Sequence, residues 1–121
     1  MANPGMFIKS YTAEAAVPGR RIVKFGTVGG ILVAASATNL AIGISDQLDA
    51  KPGDLQDVIM SGSAELELAG TVAAGAPVAS DGSGLGVAAA AGAGNIAVGY
   101  ALQAGVAGDI IDVALARHSV T

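Results

Sequence analysis

Cysteine is absent from the 121 residues. That excludes a disulfide framework, a thiolate nucleophile and any cysteine-ligated metal. Tryptophan is absent too, and tyrosine and phenylalanine together supply only four residues. A platform that stacks nucleic-acid bases or sugars on aromatic rings has little to be built from. The one histidine, His118, stands three residues from the end, in Ala-Arg-His-Ser-Val-Thr. It has no second histidine for a zinc site and no evident nucleophile or base beside it, so it reads as a solvated tail residue. No apolar run free of glycine is long enough to cross a membrane. The long uncharged stretch Gly82–Gly108 is studded with glycine and carries Ser83, Asn95 and Gln103. The start, Met-Ala-Asn-Pro-Gly-Met-Phe-Ile-Lys, lacks the basic-then-apolar order of a signal peptide.

What is abundant is alanine, glycine and valine. Such side chains bury little area each. At about 25 cal/mol per Å², a core of alanine and valine gains much less than one of leucine and phenylalanine. One domain of this length is expected, with a modest core and stability borrowed from a partner or from self-association. The net charge of −4 argues against direct nucleic-acid binding. Charge is also unevenly placed. Lys9, Arg20, Arg21 and Lys24 face only Glu14 in the first 24 residues, whereas nine acids oppose Lys51 and Arg117 after that.

The chain writes one pattern twice. Leu-Ala-Ile-Gly-Ile at 40–44 and Gly-Asp-Leu-Gln-Asp-Val-Ile-Met at 53–60 return as Ile-Ala-Val-Gly-Tyr at 96–100 and Gly-Asp-Ile-Ile-Asp-Val-Ala-Leu at 108–115. With an offset of 56, Gly19 falls on Gly75, Gly26 on Gly82, Gly30 on Gly86 and Gly43 on Gly99. A one-residue gap near Pro52 then brings Gly53-Asp54 onto Gly108-Asp109 and Asp57-Val58 onto Asp112-Val113. Length changes in a turn are cheap, and an ordered series of this kind marks an internal duplication.

Helical periodicity is nearly absent. Short β-leaning runs alternate with turn signals: Arg21–Phe25, Ile31–Ala35, Leu40–Ser45, Gln56–Ser61 and their second copies. Between the copies, Ser63–Ala69 alternates in period two, with Ala64, Leu66 and Leu68 inward and Glu65 and Glu67 outward. About eight to ten short strands predict an all-β domain, a small β-barrel or β-sandwich built from two glycine-rich β units. Residues 1–18 read as an extended N-terminal arm, with Asn3-Pro4-Gly5 a turn, Met6-Phe7-Ile8 a short strand or an apolar anchor, and Ala13–Ala16 at most one helical turn before Pro18. The β domain then covers 19–121, with repeat units about 19–61 and 75–116 joined by the strand 63–69.

No catalytic constellation stands out. Asp54 with Asp57, and Asp109 with Asp112, are spaced three apart, which in a strand points them to opposite faces. Asp54 and Asp109 are expected at turns, accepting local backbone hydrogen bonds. Asp81-Gly82-Ser83-Gly84 lacks the lysine and helix of a phosphate loop and reads as a hairpin turn. The chain is therefore expected to be no enzyme and to need no cofactor and no metal.

Two stretches carry a resemblance. Gly-Thr-Val-Ala-Ala-Gly-Ala-Pro-Val-Ala-Ser-Asp-Gly-Ser-Gly at 70–84 and Ile-Ala-Val-Gly-Tyr-Ala-Leu-Gln-Ala-Gly-Val-Ala-Gly-Asp-Ile-Ile-Asp-Val-Ala-Leu at 96–115 together resemble the capsid cement, or head decoration, proteins of tailed bacteriophages. The resemblance spans roughly 19–115. It implies a small all-β dimer or trimer on the outer surface of the capsid in the virion, made in the host bacterial cytoplasm. Its partner would be the major capsid protein, whose contacts it would stabilise, with no membrane and no direct nucleic-acid role. A tail or baseplate module, or a carbohydrate-binding β module using Tyr11 or Tyr100, are the competing readings. The apolar triplet and the basic start make Met6, Phe7, Ile8, Lys9, Arg20, Arg21 and Lys24 the expected capsid-binding residues, in an arm that orders on docking.

Overall fold

A computed structural model describes residues 7–91 and 94–120. Among these residues every regular element is a strand. The first five are β1 (Phe7–Thr12), β2 (Ile22–Phe25), β3 (Ile31–Val33), β4 (Ala41–Ser45) and β5 (Leu55–Ser61). The next five are β6 (Ser63–Glu67), β7 (Pro77–Ser80), β8 (Gly86–Ala88), β9 (Ile96–Ala101) and β10 (Ile110–Ser119). They form two five-stranded antiparallel sheets, ordered β1-β5-β4-β2-β3 and β6-β10-β9-β7-β8. The second order is the first advanced by five, so the duplicated sequence is a duplicated topology. Ser61 and Ser63 end one sheet and begin the other, with Gly62 alone between them.

Each sheet rolls without closing into a barrel. Its edge strands meet at a single parallel bridge, Ala13 to Ile31 in the first unit and Leu68 to Gly86 in the second. A second pair of bridges, antiparallel, ties the loops, Val17 to Ala50 and Val72 to Gly105. The interior of the first unit is Ala13, Val17, Val23, Ile31, Ile42, Ala50 and Val58, with Tyr11 and Met60 at its margin. The larger cluster is the joint. There Ile22, Ile44 and Ile59 of the first sheet pack with Leu66, Val78, Val98, Ile111 and Val113 of the second. These interiors are built almost wholly of aliphatic side chains, so the strands must approach closely to exclude water.

Gly43 and Gly99 show how closely. They sit at matching places in the central strands, opposite Val23 and Val78. A Cβ on Gly43 would overlap the carbonyl oxygen of Ile59, and one on Gly99 that of Ala114. The repeated glycine is there because the neighbouring backbone occupies the side-chain position.

The repeat register differs from the sequence alignment by one residue in the first hairpin. Val23 pairs with Val33, and Val78 with Ala88, an offset of 55. The offset of 56 holds at Gly43 and Gly99, next to a bulge in the pairing of β4 with β2. Gly75, with φ 83°, therefore matches Arg20, with φ 59°, rather than Gly19. The left-handed backbone recurs, but in the first unit a side chain that carries charge is held in it, at a cost of about 1–2 kcal/mol.

The extended arm is also corrected. From Phe7 onward it is an edge strand, paired along its length with β5 from Phe7 opposite Ser61 to Thr12 opposite Leu55. It occupies in the first sheet the place of β6 in the second. Ala13–Ala16 forms a bridge and a bend, not a helical turn.

Replacing Gly43 or Gly99 by alanine is expected to cost about 2–4 kcal/mol, because backbone must move. Gly75→Ala, with nothing within 4 Å of the new methyl, should cost only about 1–2 kcal/mol from its φ. Urea midpoints at unchanged m-value measure the difference.

Candidate functional site

The residues singled out by charge and apolarity divide into two groups in space. Phe7, Ile8 and Lys9 lie together on β1, at the open edge of the first sheet. Phe7 is 52% and Ile8 45% exposed, and the Lys9 ammonium sits 5.6 Å above the centre of the Tyr11 ring. Tyr11 in turn meets Phe25 edge-on at 5.8 Å. Ile8, opposite Ile59, lies on the joint side of the sheet, and Lys9, opposite Val58, on the other. Met6 lies outside the described residues.

Arg20 and Arg21 are turned inward to the joint between the units. Arg20 Nε is 3.1 Å from Glu65 Oε1, and Arg21 Nη1 is 3.1 Å from Glu67 Oε1. The backbone sets these pairs. Ser45, buried, donates its hydroxyl to the Pro18 carbonyl at 2.7 Å and accepts the Arg21 N–H at 3.0 Å. The Glu67 N–H donates to the Arg20 carbonyl at 3.1 Å and the Ile22 N–H to the Gly84 carbonyl at 2.8 Å. The left-handed turn at Arg20 aims that carbonyl and that guanidinium at β6 together. The charge asymmetry of the sequence is in this part consumed inside the molecule. Lys24 is half-buried on β2, opposite Leu32 and Ala41.

Two features went unread in the sequence. The first is a cleft of about 340 Å³ beside the ion pairs, bordered by Ile8, Ile59, Asp46 and Asp112. The second is Glu14, which clasps the loop between β2 and β3. Its carboxylate accepts the N–H groups of Gly30 at 2.7 Å, Thr27 at 3.0 Å and Val28 at 3.1 Å. Partial desolvation pushes this carboxyl upward, but the N–H donors of Gly30, Val28 and Thr27 outweigh it, so its pKa lies below the usual glutamate value. The second unit solves the same problem locally, with Asp81 accepting from Ser83 and Leu85.

The repeated acids do structural work. Asp54 accepts from the Lys51 N–H and Asp109 from the Val106 N–H, one in each unit's matching turn. Asp57 accepts the Ser10 hydroxyl across β1 and β5. His118 stacks on Tyr100, with ring centres 4.8 Å apart. Among the described residues no three His, Cys, Asp or Glu side chains group as metal ligands would. The surface offers edges and faces for another protein.

Comparison with known proteins agrees with that reading. The family model for phage cement proteins matches residues 3–117. The chain belongs to the phage cement protein family, which makes it a capsid-associated structural protein of the virion. Its fold is similar to that of the N base of the head fiber gp8.5 of bacteriophage phi29. The TM-score is 0.72 at 17% identity, covering 96% of this chain and 98% of that one. No curated protein sequence matches it.

Two outcomes follow from the geometry. A Glu65→Gln, Glu67→Gln double variant should lose at most about 1 kcal/mol, since both pairs are partly exposed, and the loss should shrink in 1 M salt. For Glu14, the lowered native pKa means stability present above the unfolded value and lost as pH falls through the native one. Acid titration of the unfolding midpoint should therefore fall more steeply in the wild type than in Glu14→Gln.

Proposed function

We propose that this chain binds the outer surface of a phage head and stabilises contacts between neighbouring major capsid proteins. The carrying observation is the open edge of β1. It presents Phe7, Ile8 and Lys9 on a strand whose counterpart, β6, is closed off by the ion pairs of the joint. An edge strand with free backbone groups and exposed apolar side chains is a ready template for another chain. Lys9 favours a capsid surface bearing acids. A small aliphatic domain gains from such an interface what its own core supplies sparingly. Assembly as a dimer or trimer would set several of these edges on one capsid site.

The binding is mechanical in purpose, and the shape suits it. The grip lies on strands rather than on a long loop, so load on a docked molecule is carried by the β1–β5 ladder. Truncation before Val17 would remove β1 and uncover the interior of the first unit, so point substitutions are the cleaner test.

Phe7→Ser with Ile8→Ser should weaken binding to expanded empty heads by roughly 10-fold or more while leaving the melting curve nearly unchanged, since both side chains are exposed. Co-sedimentation with heads across a concentration series measures it. Saturable, stoichiometric decoration that is indifferent to both substitutions would remove β1 from the interface.

A further inference from the structure

A single molecule that bridges two capsid proteins needs two grips, and we infer that the second is the outer face of the second sheet, centred on Tyr100, docking on an apolar patch of a neighbouring capsid subunit. This rests on the capsid-binding reading above and adds to it the surface and its chemistry.

The duplication provides the internal comparison. In the first sheet Ile22, Ile44 and Ile59 lie in one row across β2, β4 and β5. All three are buried, because that face packs against the second unit. The same row in the second sheet is Pro77, Tyr100 and Ala114 across β7, β9 and β10. Among the described residues no second sheet packs on this row, and Pro77 and Ala114 are only half-buried. Tyr100 stands in the place of Ile44 and is 41% exposed. Leu102, two residues on, is 56% exposed, and Ile110, on the same face of β10 as Ala114, is 45% exposed. In this fold the row is a protein-contacting surface, filled once within the molecule and left open once.

Its composition points to the kind of partner. Leu102 stands where the first unit has Asp46, and Val106 where it has Lys51. Asp112 is the charged group on this face of β10, and Glu65 and Glu67 on the adjoining strand are engaged by Arg20 and Arg21. The Tyr100 ring is fixed by stacking on His118, so an aromatic anchor is held in place before docking, which lowers the entropic cost of binding. The large exposed side chains of the face, Tyr100, Leu102 and Ile110, are apolar over most of their surface, and an apolar partner complements them. The two grips also differ in chemistry, one carrying Lys9 and the other an aromatic and aliphatic group bordered by Asp112, as suits a molecule that touches two different patches of a repeating shell. The joint fixes their relative positions, so the second contact forms intramolecularly once the first is made, and avidity follows.

The test uses the full chain with Tyr100→Ser, and separately with Leu102→Glu, against expanded empty heads. Both sites are exposed, and circular dichroism and melting temperature confirm that each variant folds. Apparent affinity for intact heads is expected to fall at least 10-fold in both, while light scattering gives the same solution mass as wild type. Wild-type affinity in both folded variants overturns this inference and leaves the capsid reading in place. Failure of the wild type itself to bind heads overturns the capsid reading and this inference with it. A solution mass that drops with Tyr100→Ser or Leu102→Glu assigns the face to a second copy of the chain and overturns the capsid patch as its occupant.

Discussion

The row of Ile22, Ile44 and Ile59 holds the molecule together. Each unit has an aliphatic interior with little bulk, and neither sheet closes on itself. The three isoleucines give the first sheet a second buried face and complete the core of the second. Around that contact the polar groups follow in order. Ser45 holds the segment before β2, the segment presents the Arg20 carbonyl to β6, and the guanidinium groups meet Glu65 and Glu67. The apolar contact comes first in energy, since partly exposed ion pairs add little. The ion pairs and backbone bonds decide where it forms.

A duplicated unit used twice in unlike ways explains much of the surface. The face that the first unit buries, the second leaves open. The edge of the second unit is closed by arginines of the first, whose own matching edge is left open. A two-unit stack has two unlike ends for this reason, and each end is free to diverge in sequence without disturbing the joint. Arg20 and Gly75 record one such divergence at a single left-handed position. In the second unit the position needs only a turn, whereas in the first it needs a turn and a charge.

The all-β class and the places of most strands were legible in the residues, because β-leaning runs and turn signals alternate and because Ser63–Ala69 has a clean period of two. The roles of Asp54, Asp109 and the Asp81 turn were legible too, since short acids after or before glycine have few other uses. The repeat was visible but mis-set by one residue at Gly19 and Gly75. Glycine serves here both for left-handed turns and for close approach, and matching letters cannot tell these apart. β1 was only partly legible, as a short strand or an apolar anchor at Met6-Phe7-Ile8, because only Tyr11 among its residues reaches the interior and the rest resembles a loose segment. Arg20 and Arg21 were read as facing a partner because a sequence shows which charges are uneven, not which of them meet. The Tyr100 face was invisible for the same reason: exposure depends on what the other unit covers.

Gly62 joins the two sheets as a single residue in the left-handed region, φ 88°. A tether that short leaves the halves almost no room to diffuse apart. Losing the joint would not release two independent bodies, so partial opening brings little entropic reward and fraying of one half exposes the isoleucine row of the other. The molecule should consequently respond to pulling or heating as one mechanical block, rather than unzipping by halves.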